Sequence, residues 1–361
     1  MSNSTQVIET ISVKRTVAMK LAKEKSRITM KDVASKAGVS VATVSGVLNN
    51  RTGKIPFSDQ TRVKVHAAVK ELGYYINEQA RSLRLGKSNT ISVAVSDMTQ
   101  PFSTEIIRVI GQEIADRKYH FFLFDTQNTG TAAESYLNLF RQRRIDGILV
   151  VGATNEIDDS GALYLVENGV PLVLIERQIP DERVSCVLVD NVKGGYLATE
   201  HLASQGRKRI AFITGTERNI VSNERMEGYR QALTQHGLKF SESLVSQGGL
   251  TPECGYRAMQ RLLELKTKPD AIFAFNDMVA IGAIRACSDS GLSVPRDVGV
   301  VGFDDIPIAS YYEPPLTTIR QPVTKMGREG VKMLLKMLGD KPAKSSGRNT
   351  ILKPELIVRN S

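Results

Sequence analysis

Several things are scarce in this chain of 361 residues, and each scarcity excludes something. Cysteine occurs three times, at Cys186, Cys254 and Cys287, far apart and without a CxxC pair. A disulfide framework is therefore not expected, and buried thiols in a reducing compartment are. Histidine occurs four times, at His66, His120, His201 and His236, with no ligand spacing. Solvated or capping roles are expected for them, and neither a metal nor another cofactor. There is no GxSxG elbow, no GxxxxGK[ST] phosphate loop and no HExxH. Asp304 and Asp305 are adjacent, but neighbouring side chains at a strand end diverge, so they do not make an acid–base pair. These absences argue against an enzyme. No apolar run approaches the ~20 residues of a membrane span. Residues 1–29 lack a continuous apolar core and a small-residue cleavage site, so a cytoplasmic protein is expected.

Positive charge is abundant and unevenly placed. Residues 1–90 hold 16 Lys/Arg against 6 Asp/Glu, whereas residues 91–361 hold 32 of each. The whole net charge of +10 thus lies in the first quarter, as expected where that quarter alone meets a polyanion. A solvated basic arm or a membrane surface would also account for the charge. Residues 1–28 read as a basic tail, a weak amphipathic helix making phosphate contacts or, the favoured reading, disorder, and translation could even start at Met19 or Met30.

Within the basic quarter, TMKDVASKAGVSVATVSGVLNN spans Thr29 to Asn50. Thr29 is placed to cap a helix, with Asp32 three residues on. Val33, Ala34 and Ala37 recur at helical spacing, and Gly38 is a stop. Ser40 caps a second helix, 41–48, with Val44, Val47 and Leu48 inward. Helix, glycine turn, helix is the pattern whose second helix enters the major groove, although an ordinary helical hairpin has the same outline. After a polar loop, Ser58 caps a third helix that Gly73 closes. Val65, Ala68, Val69 and Leu72 share its inner face, with Tyr74 and Tyr75 packing beneath. Residues 29–76 make a three-helix head. Residues 77–89 are a linker containing NEQARSLRLG, which Asn77 can cap as a helix of about two turns, too short to persist alone.

From Thr90 onward, short apolar runs alternate with amphipathic helices: 91–96, 119–124, 147–151, 172–175, 186–189, 210–214, 271–275 and 298–303. That pattern predicts α/β architecture with parallel sheets in two lobes. The expected division is lobe one over about 90–190 and 320–340, and lobe two over about 191–317 and 345–361. Ligands bind beyond the carboxyl ends of parallel strands. The residues there include Asp97, Gln100, Phe102 and Ser103, then Asp125, Asp190 with Asn191, Asn276 with Asp277, and Asp304 with Asp305. Arg225 stands in SNERMEGY. Planar amides, carboxylates, one arginine and a ring suit a polyhydroxylated ligand, although each Asp or Asn could also be a simple helix cap.

The chain resembles the lactose-repressor/galactose-repressor (LacI/GalR) family of bacterial regulators over about residues 29–359. The resemblance rests on KDVASKAGVSVATVSGVLN, ELGYYINEQARSLR, FNDMVAIGA, GVVGFDDIPIASYYEPPLTTIRQP and PELIVR in that order. It implies a helix-turn-helix head, a hinge helix and a periplasmic-binding-protein-like core whose lobes are crossed near Asp190, Thr318 and Lys341. It implies that helix 41–48 is the recognition helix, with Val41, Ala42 and Thr43 near base edges and Ser45 near a phosphate. Thr29, Ser40 and Asn49 complete the contacts of the head. Residues 78–85 would fold as the hinge helix on operator DNA, with Asn77, Ala80, Arg81 and Arg84 facing the duplex. Leu83 would be the minor-groove wedge. Gln100, Phe102, Asp125, Arg225, Asn276 and Asp304 match effector-contacting positions, and Asp190 and Leu250 complete that set.

The implied protein is a homodimeric repressor, bacterial and nucleoid-associated, on pseudo-palindromic double-stranded DNA. Its expected effector is a sugar or sugar derivative. A nucleobase or a phosphoprotein corepressor is the alternative, and a solute-binding protein a distant one. Three departures from the family stand out, the first being the tail over residues 1–28, which is atypical and has no assigned role. Gly46 replaces a long polar or basic residue, so base reading there is expected to be lost. Leu250 replaces an aromatic, so ring stacking on that wall is in question. No C-terminal tetramerising coil is expected after Ser361.

Overall fold

This computed structural model describes residues 28–48, 57–75, 86–95, 97–125, 132–152, 157–216, 219–339 and 347–361. The chain divides into two units, Met1–Arg81 and Ser82–Ser361.

In the first unit, α1 (Met30–Ala37), α2 (Val41–Leu48) and α3 (Asp59–Leu72) form the head. Thr29 caps α1 in a capping box: its hydroxyl lies 2.7 Å from Asp32 Oδ2, and its backbone N–H donates to the same oxygen at 2.7 Å. Gly38 ends the helix at φ +65°, a left-handed conformation that glycine adopts without penalty. Val33, Ala34, Val44, Val47, Val65, Ala68 and Tyr74 form the core. Tyr75 was expected beneath them but is 87% exposed. The chain turns away after Gly73, so successive side chains there cannot face the same core.

Gly46, where base reading was expected to be lost, is turned towards the core of the head. It is buried, and a Cβ built there would collide with the ring of Phe57. The position therefore faces the core of the head, where a side chain would first have to displace the Phe57 ring. Gly46→Ala is expected to destabilise the head by about 1–3 kcal/mol through overpacking. Amide exchange in α1–α3 would then quicken by about 5–150-fold at neutral pH. Unchanged exchange would mean that Phe57 moves aside freely.

The second unit contains two six-stranded sheets. Sheet one orders its strands β11-β5-β4-β3-β1-β2: Asn349–Leu352, Ser185–Val189, Leu172–Ile175, Gly147–Val151, Thr90–Val95 and His120–Asp125. All of its pairings are parallel. Sheet two orders β12-β10-β9-β8-β6-β7: Glu355–Ile357, Thr317–Arg320, Gly299–Asp304, Ala271–Ala274, Ile210–Ile213 and Val245–Ser246. There, only the β10–β12 pairing is antiparallel. The central strands are buried end to end, as parallel strands covered on both faces must be. Each sheet with its helices is one lobe.

Chain crossings follow from these pairings. The first is at Asp190, between β5 and α7 (Asn191–Ser204). The second is at Gln321–Pro322, between β10 and α11 (Val323–Met337), a helix that packs on β3, β4 and β5 of lobe one. The third was expected near Lys341, with 345–361 wholly in lobe two. Instead β11 pairs with β5 in lobe one, and the chain passes to lobe two only at Lys353–Pro354. Extending the parallel sheet beside β5 satisfies that strand's free edge before the chain leaves. Among the described residues, no helix is long and apolar enough to cross a membrane. Cys186 and Cys287 are buried as expected, whereas Cys254 is half-buried.

Candidate functional site

A cleft of about 490 Å³, its open mouth included, lies in the second unit at the carboxyl ends of both sheets. In each sheet the strand order reverses there, at β1/β3 and at β6/β8. These are the switch points where parallel sheets leave a crevice.

Lobe one contributes Gln100, Phe102 and Ser103, which open α4 (Pro101–Ala115), together with Gly152 after β3 and Glu176 after β4. Lobe two contributes Asn219 and Arg225 at the start of α8 (Ile220–Gln235), Leu250, Phe275, Asn276 and Asp304. Six of the eight effector positions expected from sequence are thus brought together: Gln100, Phe102, Arg225, Leu250, Asn276 and Asp304. Of the other two, Asp125 closes the edge strand β2, and its side chain lies outside the described residues. Asp190 caps α7, accepting from Lys193 N–H at 2.8 Å, and lines a neighbouring cavity instead. Asn276 also caps a helix, accepting from Val279 N–H at 2.8 Å, while its amide nitrogen contacts Leu250 O at 3.4 Å. Capping and cleft lining therefore coincide at Asn276 and separate at Asp190.

Arg225 is the centre of the lobe-two wall. It is 2% exposed. Its guanidinium lies 3.5 Å from the Phe303 ring centroid and 4.6 Å from that of Phe275. Nη1 donates to Phe275 O at 2.6 Å and Nε to Asn191 Oδ1 at 3.1 Å. Helices α7 and α8 approach closely enough to hold it because Gly195 and Gly228 meet the facing backbone, where a Cβ would collide. Burial lowers the Arg225 pKa to about 10, against the pull of Asp304, Glu176 and Glu224.

Asp304 ends β9 at φ +113° and accepts from Gln321 Nε2 at 2.7 Å. Burial raises its carboxyl to about 6, and neither Arg225 nor the Gln321 hydrogen bond cancels that. Behind it, Asp277 accepts from Thr318 Oγ1 at 2.5 Å and from Ile306 N–H at 2.8 Å. Burial, followed by the charge of Asp304, holds Asp277 well above the usual carboxylate range. Asp305 is paired with Arg320 at 2.6 Å and Arg359 at 2.7 Å. Three of the six non-glycine residues with positive φ among the described residues are Glu176, Asp304 and Asp305. Backbone strain of this kind concentrates where a side chain must be held in place.

Sequence reasoning missed Glu176, Gly152, Asn219 and Phe275. Glu176 directly follows the run Leu172–Ile175, so its place at a strand end is the signal that points to it.

In the head, α2 begins with Ser40, whose hydroxyl accepts from Thr43 N–H at 3.1 Å. Val41 and Ala42 are exposed, Val41 to 41%, while Thr43 and Ser45 are half-buried beside them. Val44 and Val47 of the same helix are buried in the core of the head. Thr29 is exposed and engaged with Asp32. Asn49, Asn77, Ala80, Arg81, Leu83 and Arg84, and with them the expected hinge helix, lie outside the described residues.

Known proteins share this combination. Residues 29–77 match the model for bacterial regulatory proteins of the lacI family, and residues 199–361 that for a periplasmic binding protein-like domain. The HTH-type transcriptional repressor CytR of Escherichia coli (strain K12) is 36% identical over 343 residues, 95% of this chain and 98% of that protein. The HTH-type transcriptional repressor PurR of Haemophilus influenzae (strain PittEE) is 36% identical over 335 residues, covering 92% and 98%. Among solved structures, the lac repressor dimer bound to operator and the anti-inducer ONPF superposes with a TM-score of 0.81 at 28% identity, covering 93% of this chain and 99% of that one. The complex of the transcriptional regulator CelR with cellobiose gives 0.69 at 34% identity, covering 93% and 100%. Head, cleft and relatives agree: the chain belongs to the lacI family of bacterial regulatory proteins, DNA-binding transcriptional repressors under the control of an effector.

Proposed function

We propose that the effector is a carbohydrate or sugar derivative, held in the cleft by Arg225, Asp304, Asn276 and Gln100, with Phe102 and Leu250 as its apolar walls. The observation that carries this reading is the state of Arg225 and Asp304. They have opposite charges in one cleft, yet burial pushes both towards their neutral forms. A polyol relieves both at once, because each hydroxyl can donate to the carboxylate and accept from the guanidinium. An apolar ligand could do neither. That the CelR structure holds cellobiose supports the reading. Thermal shift with cellobiose, ribose and other mono- and disaccharides tests it. At about 100 times Kd, stabilisation of about 2.7 kcal/mol is expected from one of them. Shifts with nucleobases and none with sugars would sink the proposal.

On the DNA side, we propose that Val41, Ala42 and Thr43 meet base edges in the major groove and that Ser45 meets a phosphate. Two copies are needed for a pseudo-palindromic operator, since a two-fold protein matches two-fold DNA. The edge strand β2 exposes three successive apolar residues, Phe121 (38%), Phe122 (50%) and Leu123 (37%). An open strand edge with such a patch suits self-association. Phe122→Lys is expected to sediment as a monomer at concentrations where the unmodified chain is a dimer. A variant that stays dimeric would place the interface elsewhere.

A further inference from the structure

We propose that two buried amides, Asn191 and Gln321, are positioning residues that tie the two charged side chains of the cleft to two of the crossings between the lobes, and that occupancy of the cleft changes operator affinity through them. The proposal rests on the reading that Arg225 and Asp304 touch the effector.

Asn191 is the first residue past the first crossing and is 5% exposed. Its Oδ1 accepts from Arg225 Nε at 3.1 Å. Its Nδ2 donates to Glu224 Oε2 at 2.9 Å and to Val189 O at 3.2 Å. Val189 is the last residue of β5 in lobe one, whereas Glu224 and Arg225 lie on α8 in lobe two. One amide therefore spans the crossing and holds the cleft's cation.

Gln321 occupies the second crossing and is 3% exposed. Its Nε2 donates to Asp304 Oδ1 at 2.7 Å, while its Oε1 is buried without a hydrogen-bond partner. Just before it, the strand is fixed to lobe two by Thr318 on Asp277 and by Arg320 on Asp305. The chain is thus anchored up to residue 320, and the Gln321 side chain is held by the cleft's anion. The two amides are matched to their partners: an acceptor faces the cation and a donor faces the anion. A polyol that bonds Arg225 and Asp304 competes for these two links, and the backbone at both crossings moves with them.

The test uses the full chain without any small molecule, on a duplex that the unmodified chain has selected from a random pool. Gln321→Leu and Asn191→Leu are each expected to change affinity for that duplex at least about 5-fold, the low end of allosteric coupling. Gln321→Glu supplies a readout that lost packing would not move. At about pH 7.5 its carboxylate faces Asp304, with Asp277 and Arg225 as the other charged neighbours, and the variant should behave like Gln321→Leu. At about pH 5.5 one proton shared between the two carboxylates restores the link, and affinity should return towards that of the unmodified chain at the same pH. Folded leucine variants that bind within about 2-fold of the unmodified chain would overturn the proposal. Should they fail to fold, the size-conserving Gln321→Glu and Asn191→Asp decide it, and normal affinity in both at about pH 7.5 overturns it. If Arg225→Met still binds sugar, the contact assignment fails. If it has lost sugar binding while the amide variants are silent, the contact assignment stands and this inference falls.

Discussion

Arg225→Met is expected to lower the affinity of the cleft for its sugar by about 10²–10⁴-fold, because two hydrogen bonds to a charged group are worth roughly 1.5–3 kcal/mol each. The effect is large because the guanidinium is already oriented. Its plane rests on Phe303 and Phe275, and two of its donors are engaged by Phe275 O and Asn191 Oδ1. The remaining donors are held ready, so little ordering entropy is lost on binding. Stability in the absence of sugar should fall as well, by roughly 3–5 kcal/mol, because removing one partner leaves the buried charge of Asp304 uncompensated. Methionine also leaves Phe275 O and Asn191 Oδ1 without the donor they have now. Sequence-specific binding of DNA persists, since the head has its own core. Titration calorimetry with the responding sugar, beside a urea melt, separates the two effects. A variant that binds sugar within about 3-fold of the original would remove Arg225 from the contact set.

How far the site was legible depends on which physics fixes each residue. The head was legible because a capping box, an inward stripe and two glycine stops are local signals, and the structure contains each of them. The inward aspect of Gly46 was not legible. It is decided by Phe57, which lies across a loop and whose packing leaves no periodic trace. In the core, residues at strand ends could be pointed to because parallel sheets bring those ends together. Which end faces the crevice depends on strand order, and strand order is set by long-range pairing. Asp125 ends the strand at the sheet's edge, and its side chain lies outside the described residues. Asp190 follows another, yet its carboxylate is turned onto the N-terminus of α7. Arg225 had no strand end to flag it, and the family motif placed it. The short β11 was misassigned for a related reason, since its four residues carry no signal of the partner strand β5.

Asp304→Asn is expected to stabilise the chain at neutral pH and to have little effect near pH 4. In the folded chain the carboxyl titrates at about 6, against an ordinary value of 3.8. A group whose pKa is raised by folding contributes its stability below the unfolded value and loses it as pH rises through the folded one. Between about pH 4 and pH 7 the unmodified chain should therefore lose on the order of 2–3 kcal/mol at this site, at 1.36 kcal/mol per unit. Asp277 shifts in the same direction and adds to the slope, since the charge of Asp304 is one cause of its own raised value. Arg225 remains charged throughout this range, its pKa having fallen only to about 10, so it contributes a constant term. Asparagine keeps an oxygen for Gln321 Nε2 and removes the buried negative charge. Urea midpoints measured from about pH 5 to 8 should fall steeply for the unmodified chain and more shallowly for the variant, with the curves converging at the acid end. Parallel curves would show that Asp304 ionises as a solvated carboxylate does. The same variant should bind sugar more weakly, because a neutral amide accepts a hydroxyl proton less strongly than a carboxylate. A buried carboxylate kept in the cleft at the expense of stability is what a site selected for binding would retain, and a site selected for rigidity would not.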